Sequence, residues 1–296
     1  MTARIIDGRA IAREMRREVA EQVEEFKMRY GRPPGLAVIL VGDYAPSLYY
    51  VRTKARYCED VGMYSEVHHL PAHTPEDEVL KLVDRLNHDG NIHGFLVQLP
   101  LPDHINPLRV QWAIDPEKDV DGLHPINVGR LVLGEDCLVP ATPAGIMEAL
   151  RREHIEVEGK RAVIVGRSNI VGKPMAMLLM HANATPTICH SRTRPLGDVT
   201  REGDILVAAV GVPELIKADM VKPGAVVIDV GVNRVEDPAT EKGYRVVGDV
   251  AFDEVKEVAS AITPVPGGVG PLTIAHLLVN NLIAARRQVE KEARSA

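Results

Sequence analysis

Arg161-Ala-Val-Ile-Val-Gly-Arg-Ser-Asn-Ile-Val-Gly-Lys-Pro174 opens as a short apolar run and breaks at Gly166 into a loop of small residues before a helical segment. A strand, a glycine turn and a helix in that order let backbone N–H groups and a helix N-terminus face an anion such as a pyrophosphate. Three further apolar runs follow: Thr185 to His190, Asp204-Ile-Leu-Val-Ala-Ala-Val-Gly211 and Ala225-Val-Val-Ile-Asp-Val-Gly231. Helical or turn-rich segments separate them. Apolar strands alternating with helices imply a parallel sheet covered on both faces, here a Rossmann-like domain starting near residue 142.

The same alternation runs upstream. Residues 9–30 carry apolar side chains at helical spacing and are closed by Gly31, and Leu36-Ala-Val-Ile-Leu-Val-Gly42 follows as a buried strand. A helix is expected over 46–61, with Ser47 as a cap, then a strand at Glu66 to Leu70, a helix at Pro75 to Asn87 and a strand at Gly94 to Gln98. Leu99-Pro-Leu-Pro102 ends regular structure abruptly. The loop Thr263 to Pro271 precedes a last helix over roughly 272–294. The chain therefore reads as α/β with two domains.

Composition bounds the function. Of 296 residues, 45% are hydrophobic but only 4% aromatic, so the core is built from Val, Ile, Leu and Ala, which suits helix-covered parallel strands. The net charge of −6 offers no basic field for nucleic acid. Three dispersed cysteines argue against a disulfide framework and for a reducing compartment. With no apolar leader and no long apolar stretch, a protein of the cytoplasm with no membrane contact is expected. The eleven histidines form no HExxH-type cluster, and His68 and His69 on a strand point to opposite faces, so no metal is expected.

The loop after Val165 is not the GxGxxG fingerprint: Ser168 replaces the second glycine, and the third, Gly172, is one place late. The second strand ends Cys189-His-Ser-Arg-Thr193, without the carboxylate that binds the ribose hydroxyls of NAD. Arg167 and Arg192 offer forked donors to a 2′-phosphate, with Ser191 beside them, so NADP is preferred over NAD. In the first half, Tyr50 and Lys54 lie on one face of a helix. Gln98 stands at the C-terminal end of an apolar strand, either as a ligand group or as a hydrogen bond to the next loop. Asp121, in Asp119-Val-Asp-Gly122, serves either a ligand or an Asx-turn or helix cap.

Together, Tyr50-Val-Arg-Thr-Lys54, Val97-Gln-Leu-Pro-Leu-Pro102, Lys118-Asp-Val-Asp-Gly122, the Gly166 to Pro174 loop and Pro264-Val-Pro-Gly-Gly-Val-Gly-Pro271 occur in this order across the chain. The whole resembles the bifunctional methylenetetrahydrofolate dehydrogenase/methenyltetrahydrofolate cyclohydrolase family. The resemblance implies an NADP-dependent oxidoreductase and hydrolase of one-carbon metabolism, acting on tetrahydrofolate derivatives as a homodimer. It implies a folate-binding domain of residues 1–140 plus 270–296 and a Rossmann-like NADP domain of 141–269, flanking a cleft. Lys54 would be the main catalytic residue, supported by Gln98. Tyr50 would stack on the aminobenzoyl ring, and Asp121 would hold the pterin edge. Leu99, Pro264 and Gly268 would border the folate, and Gly166, Arg167, Ser168, Ser191, Arg192 and Val232 the nucleotide. The family often has Cys at Ala141 and Met at Leu272; neither position carries the proposed chemistry. A shikimate-type dehydrogenase would share the two-domain build but lack the Tyr50–Lys54 helix together with the Pro264 to Pro271 loop.

Overall fold

The computed structural model describes residues 2–240 and 243–295. In chain order it forms β1 (Arg4–Ile5), α1 (Gly8–Tyr30), β2 (Gly35–Val41), α2 (Ala45–Asp60), β3 (Tyr64–Leu70), α3 (Glu76–His88) and β4 (Gly94–Val97). Three helices follow, α4 (Pro107–Trp112), α5 (Pro125–Leu133) and α6 (Ala141–Arg152). The second series is β5 (Arg161–Val165), α7 (Gly172–His181), β6 (Thr185–Cys189), α8 (Leu196–Thr200), β7 (Ile205–Ala208) and β8 (Val226–Asp229). The chain ends with β9 (Asn233–Glu236), β10 (Tyr244–Val247), α9 (Phe252–Val255), β11 (Ala261–Ile262) and α10 (Val269–Ser295).

Two compact units divide the chain. The first to be described comprises Arg13–Ala141 and Ile274–Ala296. Its sheet is parallel in the order β3-β2-β4. The central strand β2 is apolar at every position because both faces are covered. Leu36, Val38 and Leu40 join the cluster of Val19 and Phe26 on α1, Val51 and Cys58 on α2, and Leu277 and Leu278 on α10. Ala37, Ile39 and Val41 instead join Val79, Val83 and Leu86 on α3 and Val110 on α4. The period-two alternation of the strand thus assigns each side chain to one of two cores. Ser47 does not cap α2: the cap position is Tyr44, a proline fills the first turn, and the buried Ser47 hydroxyl donates to the Leu99 carbonyl at 3.3 Å.

The other unit comprises Met1–Ala12 and Thr142–Thr273. Its six strands are all parallel, in the order β1-β11-β8-β7-β5-β6. The grouping of the first twelve residues here differs from the expected 1–140 plus 270–296 division. Its cause is a pairing of Arg4 with Ala261 and Ile5 with Ile262, which makes the N-terminus an edge of this sheet. Val163 and Val165 of β5, Leu206 and Ala208 of β7, and Val227 of β8 build its core. Chain order reverses between β5 and β7, because β5 leads to β6 on one side and β7 returns on the other. That is the topological switch point, where doubly wound sheets place ligands at the carboxyl ends of their strands. The last helix begins at Val269, inside the expected loop, with Pro271 tolerated in its first turn.

Candidate functional site

Tyr50, Lys54, Gln98, Leu99 and Asp121 all belong to the Arg13–Ala141 unit. Lys54 lies on the buried side of α2, one turn beyond Tyr50, whose ring is more exposed and packs edge-on against Tyr49. The Lys54 Nζ donates to Gln98 Oε1 at 3.0 Å. Gln98 follows the last residue of β4; its backbone N–H donates to the Ile39 carbonyl at 2.8 Å, and its side-chain Nε2 donates to the Leu99 carbonyl at 2.8 Å. With Nε2 committed to that carbonyl, the Gln98 amide presents its oxygen to the lysine. Gln98 therefore makes both a strand-end hydrogen bond and a contact with the candidate catalytic amine.

Electrostatics set the state of this amine. Burial pushes the Lys54 ammonium below the ordinary lysine range, and the charges of Asp121 and Cys58 only partly oppose it. Burial likewise raises Asp121 above the usual carboxylate range, opposed by Lys54. Each group is thus drawn toward neutrality by loss of water and toward charge by the other. Asp119 and Asp121, two residues apart, have separate uses. Asp119 Oδ2 accepts from the His124 backbone N–H at 2.7 Å and from Asn127 Nδ2 at 3.0 Å, so it is Asp119 that ties down the entry to α5. Burial raises its carboxyl to about 6. The segment between them is fixed from α10, where Asn280 Nδ2 donates to the Val120 and Val139 carbonyls at 2.8 Å each. The sequence reading passed over Asn280; a polar pair, Asn280-Asn281, inside an otherwise apolar stretch of helix is the signal that marks it.

The remaining candidates belong to the unit built on the six-stranded sheet. Gly166 follows β5 at the switch point with φ of +134°, and a Cβ there would overlap the Ala209 carbonyl oxygen. Only glycine fits this close approach, which brings the loop backbone against the end of β7. Arg167 is exposed on the loop. The Ser168 hydroxyl accepts from the Val171 backbone N–H at 3.1 Å and the Gly172 N–H at 3.4 Å, so the residue in place of the second glycine organises the start of α7. Ser191 and Arg192 are exposed just past β6, in a turn closed by a hydrogen bond from the His190 N–H to Thr193 Oγ1 at 2.9 Å. Val232 is a large apolar residue left 57% exposed at the carboxyl end of β8. Pro264 and Gly268 lie in the loop between β11 and α10, where the Gly268 N–H donates to the Pro264 carbonyl at 2.8 Å.

A glycine cradle at a switch point, a helix N-terminus beside it and exposed Ser191 and Arg192 just past the neighbouring strand fit a dinucleotide with a 2′-phosphate. Among the described residues, no group of three or more His, Cys, Asp or Glu is arranged to hold a metal ion. No helix among them is long and apolar enough to cross a membrane.

Comparisons with known proteins bear on the same two regions. Residues 6–121 match the family model for the tetrahydrofolate dehydrogenase/cyclohydrolase catalytic domain, and residues 140–289 match its NAD(P)-binding domain. The chain is 58% identical over 287 residues to the bifunctional protein FolD of Moorella thermoacetica, covering 97% of this chain and 100% of that one. The crystal structure of the FolD methylenetetrahydrofolate dehydrogenase/cyclohydrolase from Campylobacter jejuni superposes with a TM-score of 0.92 at 47% identity, covering 96% and 99% of the two chains. The Trypanosoma brucei enzyme, solved with NADP and an inhibitor, gives 0.93 at 43% identity, covering 98% and 99%.

Proposed function

Because the chain belongs to the tetrahydrofolate dehydrogenase/cyclohydrolase family, we propose that it oxidises 5,10-methylenetetrahydrofolate with NADP and hydrolyses the 5,10-methenyl product to 10-formyltetrahydrofolate. The observation that carries the catalytic assignment is the buried Lys54 amine held on Gln98 and opposed by the charge of Asp121. NADP, when bound, supplies the hydride acceptor for the first step. That step asks the protein for alignment and desolvation and needs no protein nucleophile.

Ring opening asks for proton management. Water adds to the cationic methenyl carbon and loses a proton to give a neutral hydroxyl adduct. The bond from that carbon to one ring nitrogen then breaks as the nitrogen gains a proton and the hydroxyl proton leaves with formation of the formyl C=O, so one proton is released overall. An ordinary lysine, with a pKa of about 10.4, is protonated at neutral pH and cannot accept that proton. Burial lowers Lys54 from that range, which raises the share of neutral amine able to take the proton from water and return one to the leaving nitrogen. Gln98 holds the amine through Oε1. Tyr50, more exposed and one turn away, is the platform for the aminobenzoyl ring. Asp121, drawn toward neutrality by burial and toward charge by Lys54, holds the pterin edge by accepting from its N–H groups through a carboxyl oxygen. Leu99, Pro264 and Gly268 complete the folate contacts, and Gly166, Arg167, Ser168, Ser191, Arg192 and Val232 the nucleotide contacts. The Arg13–Ala141 unit is accordingly the folate-binding one and the six-stranded unit the NADP-binding one, in a homodimer of the cytoplasm.

Selectivity for NADP follows from Arg192. A guanidinium on a 2′-phosphate makes charge-assisted bonds of ~1.5–3 kcal/mol each. Arg192→Ala is expected to reduce kcat/KM for NADP by about ten- to a hundredfold while leaving NAD nearly unchanged. An equal loss with both nucleotides would remove the assignment.

The function itself is tested by supplying methylenetetrahydrofolate with NADP and following NADPH, methenyl and formyl products together. Both products are expected. No NADPH formation would refute the dehydrogenase, and accumulation of methenyl product at its spontaneous hydrolysis rate would refute the cyclohydrolase.

A further inference from the structure

Two buried carboxylates in the six-stranded unit lie outside the chemistry above. Asp229 ends β8 and is 3% exposed; Asp249 follows β10 and is fully buried. Asp229 Oδ1 accepts from the backbone N–H groups of Gly231 at 3.0 Å and Asp249 at 2.9 Å, and its Oδ2 accepts from that of Val250 at 3.0 Å. Asp249 in turn reaches two other segments. Its Oδ2 accepts from the Val210 N–H at 2.6 Å and the Gly211 N–H at 3.0 Å, both just past β7, and its Oδ1 accepts from Asn233 Nδ2 at 2.9 Å. Both carboxylates press on glycine: a Cβ on Gly248 would overlap the Asp229 carboxylate, and one on Gly231 would overlap that of Asp249. Burial raises the Asp229 carboxyl to about 7, a cost that the N–H donors partly offset.

The pair therefore fixes the residues on both sides of the exposed Val232, namely Gly231 and Asn233, and the first two residues of the loop after β7. In the sheet order β6-β5-β7-β8 the 2′-phosphate candidates follow β6 and the glycine cradle follows β5. A dinucleotide anchored there extends its other half across the ends of β7 and β8. We propose that Asp249, with Asp229 behind it, is a positioning residue that presets the β7 and β8 loops for the nicotinamide half of NADP. The inference rests on the cofactor reading above and adds a role that involves no contact with the nucleotide.

The test uses the full-length protein with Asp249→Asn, which keeps the shape but turns an N–H₂ toward donors that require an acceptor. Binding of NADP and of 2′,5′-ADP, which lacks the nicotinamide half, is measured by calorimetry, and ring opening of methenyltetrahydrofolate is assayed with no nucleotide. The NADP dissociation constant is expected to rise about tenfold or more, with 2′,5′-ADP binding and ring opening within about twofold of the unsubstituted protein. Equal weakening of both nucleotides, or weakening of neither, would overturn the proposal. Should Asp249→Asn fail to fold, Asn233→Ala removes a single hydrogen bond to Asp249 and is expected to give the same split with a shift of about three- to tenfold; no split there overturns the proposal too. If the unsubstituted protein binds neither nucleotide, the cofactor reading itself has failed and takes this inference with it.

Discussion

Lys54→Met is expected to lower the rate of methenyl ring opening by about 10²–10⁴-fold, the range of a general acid–base group, while NADP-linked oxidation stays within about tenfold. The side chains are of similar length, and the amine being removed sits in a site that already disfavours its charge, so replacement by an apolar thioether costs the fold little. What the substitution removes is the donor to Gln98 Oε1 and, with it, the proposed proton acceptor. The check is to assay the two steps separately on protein whose melting midpoint matches the original. Ring opening at near-normal rate in this variant would show that Lys54 carries no proton in the reaction.

Gly166→Ala is expected to act on the other step. With φ of +134° and the Ala209 carbonyl in the space a methyl group needs, alanine forces the loop off the end of β7. Strain of this kind costs ~3 kcal/mol, which for a domain of this size lowers the melting midpoint by roughly 6–12 °C. NADP-linked oxidation is expected to fall by about a hundredfold or more, because on the proposed cofactor reading the loop N–H groups assigned to the pyrophosphate move with it. Nucleotide-free ring opening at a temperature below the melt is expected to persist, since Lys54, Gln98 and Asp121 belong to the other unit. Unchanged NADP affinity would show that the loop does not cradle the cofactor.

The strands that carry the fold were legible where burial on both faces imposes a continuous apolar run, as in β2, β5, β7 and β8. Four short strands were not legible in this way. β1 and β11 are two residues each, too short for any periodicity, yet their pairing places the N-terminus in the second sheet. That is why the grouping of the first twelve residues with the six-stranded unit has no counterpart in the sequence pattern. The hairpin of β9 and β10 was equally silent, its strands being charged and half exposed. At the site, helical spacing placed Tyr50 and Lys54 on one face, but the bond from Lys54 to Gln98 joins residues 44 positions apart and no spacing rule reaches it. Nor does sequence distinguish Asp119 from Asp121 in a single motif; the difference lies in which carboxylate meets His124 and Asn127. Asp229 was hidden as one charged residue inside an apolar strand, and it is the irregularity in such a run that marks a carboxylate with backbone donors waiting for it.

Direct titration of the Lys54 side-chain nitrogen by NMR, with Lys54→Met identifying its resonance, asks whether a neutral amine is available to the ring-opening step. Below its midpoint the group is an ammonium and above it a base, so a depressed midpoint makes ring opening accelerate with pH across that same interval. A midpoint below the ordinary lysine value of about 10.4, matched by the rise in rate, is the predicted result. A midpoint at or above that value, or a rate indifferent to it, would contradict proton transfer through this residue.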